Sequence, residues 1–100
     1  MEIREFFDEL KAIRDKYEWR IENESIRGLD SEHHYCPITA LYNSKFGEYC
    51  HINDYSIAAD LLGISSGDTS DIVAAADRCD VDNQNIVDEL RHEMRNVLGL

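Results

Sequence analysis

The chain predicts an α+β domain, mainly α: an N-terminal helix, a β-hairpin, then three to four short helices in one compact unit spanning residues 1–100. Three observations carry this. Apolar residues recur at steps of three and four near both ends of the chain, the period of a helix packed on one face. Between residues 18 and 29 the period changes to two, the pattern of half-buried strands. One hundred residues with 43% hydrophobic content suffice for a single core and not for two.

In the stretch 2–17, Ile3, Phe6, Phe7, Leu10, Ile13 and Tyr17 draw one stripe along a helix. The other face mixes both signs of charge, with pairs such as Asp8 and Lys11 at helical spacing. Trp19 and Ile21 then alternate with Glu18, Arg20 and Glu22 as a strand. Asn23 and Glu24 turn the chain, and Ser25 to Leu29 return with Ile26 inward and Gly28 closing the second strand. A two-stranded ribbon does not stand alone in water, so Trp19 is expected to anchor it on the helices. Asp30 to Tyr35 is polar and reads as a loop.

Pro37 favours the first position of a helix, where its missing N–H goes unused. Ile38, Leu41 and Tyr42 form the inner face of that helix and Gly47 its C-cap. After a link over Tyr49 to Ile52, Asn53 is a good N-cap for a helix over Asp54 to Leu62, with Gly63 and apolar Ile64 as a Schellman stop. Ser65 to Thr69 is a turn in which Ser66 or Thr69 caps the next helix. Ile72, Val73, Ala75, Ala76 and Cys79 are that helix's buried candidates. The last helix opens near Asp82 or Asn83, carries Ile86, Val87, Leu90, Met94, Val97 and Leu98 on one stripe, and ends at Gly99.

Charge is the most informative global property. The formal net charge is −11 and the pI about 4.6. Residues 1–45 hold ten acids and seven bases, whereas 46–100 hold eleven acids and three bases, and no lysine follows Lys45. Such a chain repels phosphates, which disfavours nucleic acid and anionic membranes as direct partners and favours a basic protein. No apolar run approaches the ~20 residues of a membrane span. The N-terminus is amphipathic rather than a basic stretch followed by an apolar one, so a soluble, cytoplasmic protein is expected. Three cysteines, an odd number at low density, read as reduced thiols.

Few residues point to chemistry. His33, His34, Cys36, Cys50 and His51 are the one set able to bind zinc, but the cysteine spacing does not match the two to four residues of a zinc knuckle, so neither metal nor cofactor is expected. Asp80, Asp82 and Gln84 hold the first alternating positions of a calcium loop. Asn85 stands where that loop needs Gly, and Arg91 where it needs its bidentate Glu, which excludes an EF-hand. No nucleophile elbow and no phosphate-cradling glycine loop occurs, and with 21 acids, chance carboxylate pairs carry no weight. The chain does not read as an enzyme.

The segments Trp19-Arg20-Ile21, Ser25-Ile26-Arg27, Cys36-Pro37-Ile38-Thr39-Ala40, Ala58-Ala59-Asp60-Leu61-Leu62-Gly63, Ile72-Val73-Ala74-Ala75-Ala76-Asp77 and Leu98-Gly99-Leu100 resemble small uncharacterised phage and prophage proteins. The resemblance implies a non-enzymatic accessory protein acting on a host complex, as acidic anti-CRISPR and other DNA-mimic inhibitors do. It assigns no functional residue.

Carboxylates held on short packed helices present negative charge much as a phosphate backbone does. The acidic half, chiefly Asp54, Asp60, Asp68, Asp71 and Asp77 with Tyr49 and Tyr55 as aromatic anchors, is therefore expected to dock on a basic nucleic-acid-binding protein or complex. The alternatives are an interaction or assembly module, homodimeric through the tyrosines and the apolar edge of the last helix, and a small zinc protein built on the His/Cys set.

Overall fold

The computed structural model describes residues 1–22, 25–29, 34–46, 54–76 and 85–100. Helix α1 (Ile3–Ile13) leads through a 3-10 turn (Arg14–Lys16) into β1 (Glu18–Glu22), β2 (Ser25–Leu29) and β3 (His34–Tyr35), followed by α2 (Pro37–Phe46), α3 (Tyr55–Leu62), α4 (Ser66–Ala76) and α5 (Asn85–Leu98). The protein is mainly helical. Its radius of gyration, 12.5 Å, is close to the ~13 Å of a compact chain of this length.

Phe6, Phe7, Leu10 and Ile13 of α1 are buried, as their spacing predicts. They meet Ile38 and Leu41 of α2, Ile72 of α4 and Met94 and Leu98 of α5 in one core. The helix is shorter than the predicted 2–17. Its end has a visible cause: the Trp19 indole N–H donates to the Arg14 carbonyl at 2.8 Å, occupying an acceptor that a longer helix would use for itself. The charged face of α1 also differs from expectation. Its bases and acids reach other elements, Arg4 pairing with Glu93 of α5 at 2.6 Å and Glu9 with Lys45 of α2, instead of forming the Asp8–Lys11 pair.

The sheet has strand order β1-β2-β3 with both pairings antiparallel. Trp19 is buried and anchors the hairpin. Gly28 lies inside β2 directly opposite Trp19, and a Cβ there would stand 2.7 Å from the indole Cζ3. Its role is thus to let the ring lie on the backbone, beyond closing the strand. Ile21, expected inward, is 41% exposed, whereas its cross-strand partner Ile26 is buried. The difference follows from topology: α2 and α4 pack on the central strand β2, and Ile21 sits on the outer strand beyond their cover. His34 and Tyr35, read as loop, pair with Leu29 and Gly28. Two residues are too few to show a period of two.

Pro37 opens α2 as predicted. Cys36 caps it, its carbonyl accepting from the Ala40 N–H at 2.9 Å and its sulfur from the Thr39 N–H at 3.5 Å. Ile38, Leu41 and Tyr42 are buried together with Thr39 and Ala40. On α4, Ile72, Ala75 and Ala76 are buried and Val73 packs against the core from a half-buried position. The cap of α4 is Ser65, one residue before the Ser66 expected and four before Thr69: its Oγ accepts from the Asp68 N–H at 3.1 Å and its carbonyl from the Thr69 N–H at 2.8 Å. Gly99, in the left-handed region at φ 77°, ends α5 as predicted. The expectations for the turn at 23–24, the cap Gly47, the link 49–52 and the residues Cys79, Asp82 and Asn83 lie outside the described residues. Among the described residues no helix is long and apolar enough to cross a membrane.

Candidate protein-docking face

Helix α3 is the element on which the predicted site depends, and its eight residues need help to be helical, since so short a segment is marginal alone. Both ends are closed by specific groups. Asp54 is the N-cap in place of the expected Asn53, its Oδ1 accepting from the Ser56 N–H at 2.8 Å and the Ile57 N–H at 3.4 Å. Asp wins because its carboxylate satisfies two orphan donors and also faces the positive end of the helix. At the other end Gly63 has φ 76°, its N–H bonds the Asp60 carbonyl at 3.1 Å, and the Ile64 N–H bonds the Ala59 carbonyl at 2.9 Å. This is the predicted Schellman stop.

The face that α3 buries is made of Ala58 and Ala59. Small side chains bring it close to its neighbours α2 and α4, Leu62 packs half-buried against the core, and the other large residues are left outside. Tyr55 is 44% exposed, Ile57 51% and Leu61 58%. Ile57 and Leu61, four residues apart, share one side of the helix. They open onto a groove of about 470 Å³ between α3 and the first turns of α4, whose wall also includes Tyr55, Asp60, Ile64 and Thr69.

The predicted acidic residues fall into three groups. Asp60 is exposed and stands in the groove wall. Asp54 is exposed but committed to capping. Asp68, in the first turn of α4, and Asp71 are half-buried on that helix and do not line the groove. Tyr55 lines both the groove and a small apolar cavity with Cys36, Ile38, Ile72, Val73 and Ala76, so its ring stands at the boundary between core and surface. Asp77 and Tyr49 lie outside the described residues. From 54 to 76 there are four acids and no base, and the cation that reaches the α3–α4 turn among the described residues is the Met1 ammonium, which donates to the Gly63 carbonyl at 2.6 Å.

Sequence reasoning missed Ile57 and Leu61. A signal was present: six of the eight α3 residues, Tyr55, Ile57, Ala58, Ala59, Leu61 and Leu62, are apolar and cover more than half of the helix circumference, too wide for one buried stripe on so short a surface helix. Other surfaces offer less. A groove of about 300 Å³ between α1 and α5 carries Arg4, Lys11 and Arg14 with Asp8 and Glu93, and Arg4 is already paired with Glu93. Of the apolar edge of α5, Met94 and Leu98 are buried and Leu90 and Val97 packed against the core, while the side chains of Ile86 and Val87 lie outside those described. Of the His/Cys set, His33, Cys50 and His51 lie outside the described residues, and among the described residues no group of three metal-ligating side chains occurs. The Cys36 sulfur lies 3.4 Å from the Thr39 hydroxyl.

In comparisons with known proteins, no family model, no curated protein and no solved structure matches the chain.

Proposed function

We propose that this chain is a non-enzymatic binding protein of inhibitory type, which docks its α3–α4 face onto the basic surface of a nucleic-acid-binding protein. The observation that carries the reading is the coincidence of three exposed large apolar side chains, Tyr55, Ile57 and Leu61, with a segment holding four acids and no base. Each part supplies a different component of binding. The net negative charge draws a basic partner from a distance and sets the salt dependence. The apolar residues, desolvated on contact, supply affinity that salt does not screen. A phosphate-binding groove on the partner is the surface such a face competes for, because carboxylates offer the same charge to the same Lys and Arg side chains.

The test is affinity capture from a nuclease-treated bacterial lysate, washed at low and then moderate salt. Recovery of one nucleic-acid-binding protein, released by salt and retained less by an Asp60→Lys/Asp68→Lys/Asp71→Lys variant of unchanged circular dichroism, is the expected result. A partner indifferent to salt and to charge reversal would overturn the reading.

A further inference from the structure

Resting on that reading, the geometry points to the form of the partner element: we infer that the α3–α4 groove receives a basic amphipathic helix. Three features exclude the other ways of filling it. An extended peptide gains its affinity from an open strand edge, and this groove has none. Its walls are the helices α3 and α4, whose interior backbone groups bond within the helices; at the ends the Ser56 and Ile57 N–H groups are held by Asp54, the Asp68 and Thr69 N–H groups by Ser65, and the Ala59 and Asp60 carbonyls by the Ile64 and Gly63 N–H groups. Thr69 is occupied as well, its hydroxyl donating to the Ser65 carbonyl at 2.8 Å. A peptide laid here as a strand would lose water from its own N–H and C=O groups without replacement, and a helix, self-satisfied, would not.

The dimensions agree. Eight helical residues span about 12 Å, and Ile57 and Leu61, one turn apart, present a ridge about 6 Å long that fits between side chains at i and i+4 of a facing helix. The occupant's chemistry follows from charge. Asp60 stands in the wall and no base occurs from 54 to 76, so Lys and Arg flank the apolar stripe of the incoming helix. A second copy of this chain would bring a groove wall carrying Asp60 and a segment of four acids and no base against its own like and is disfavoured.

The probes are two synthetic Leu/Lys peptides of about four helical turns, one with its leucines on a single face and one of the same composition with leucines distributed around the axis. Each is titrated into the ¹⁵N-labelled protein at low and moderate salt. The single-faced peptide should bind at least about tenfold tighter, with amide shifts confined to residues 55–70. Ile57→Asn/Leu61→Asn should abolish that preference, and because both positions are exposed the fold survives, as circular dichroism will check. Asp60→Asn should weaken both peptides mainly at low salt. Equal affinity for the two peptides overturns the helix while leaving a charge-driven partner standing. Failure of both peptides to bind at low salt, or shifts centred on α1 and α5, overturns the helix and the docking face together.

Discussion

In α1 the residues removed from water are Phe6, Phe7, Leu10 and Ile13; in α3 they are Ala58 and Ala59, and Ile57 and Leu61 stand outside. Both helices carry enough apolar residues to be buried, yet α1 places large ones in the core where α3 places mainly alanines. The difference lies in what each helix packs against. α1 crosses α2 and α5 and fills the space between them with rings and branched chains. α3 sits close to its neighbours by means of alanines, so of its large side chains Leu62 packs half-buried against the core while Tyr55, Ile57 and Leu61 stay at the surface. Exposed apolar residues are ordinary when scattered. Three of the six large apolar residues that the described surface exposes are on α3, a concentration that supports the proposed docking face.

The largest expected effect tests that contrast directly. Leu10→Ala, at a position with no exposure, should cost about 2–5 kcal/mol of stability in urea unfolding, by lost burial and the cavity left behind. Leu61→Ala should stay within about 0.5 kcal/mol while weakening partner binding. Similar losses at the two sites would mean that Leu61 is packed and that α3 offers no free apolar face.

A smaller effect sharpens the comparison at the end of α1, where the buried region is sealed by Trp19. The indole lies over Gly28 and its N–H holds the Arg14 carbonyl. Gly28→Ala introduces a Cβ 2.7 Å from a rigid ring atom, so it should cost about 1–3 kcal/mol. It should also shift the emission of Trp19, the single tryptophan. In a Trp19→Leu background, most of the glycine penalty should vanish. An unchanged stability and spectrum would place the ring elsewhere.

The two regions were also unequally legible. The stripe of α1, the anchor Trp19, Pro37 at the start of α2 and the glycine stops of α3 and α5 are local rules, and each was read from spacing or a single residue type. What could not be read depends on neighbours distant in sequence. The exposure of Ile21 depends on which strand α2 and α4 cover. The β3 pairing has too few residues to leave a pattern, and the turn of Arg14 is imposed by an indole five residues on. On α3 the acids and Tyr55 were picked out by charge and residue type, whereas Ile57 and Leu61 were missed because an apolar residue is read as core until the packing distance is known.

Asp54 gives the finest test, because it belongs to both sides of the comparison: it holds α3 as a cap and adds charge to the candidate face. Asp54→Ala removes both roles and should cost about 1 kcal/mol of stability. Asp54→Asn keeps an oxygen in place for the Ser56 and Ile57 N–H groups, and Asn caps about as well as Asp, so its stability should stay near that of the parent. If the charge itself contributes to docking, Asn should still weaken binding at low salt, and the gap from the parent should close as salt rises through about one Debye length of screening. An Asn variant that binds like the parent at every salt concentration would assign Asp54 to the fold alone, leaving Asp60 as the acid that faces the partner from the groove.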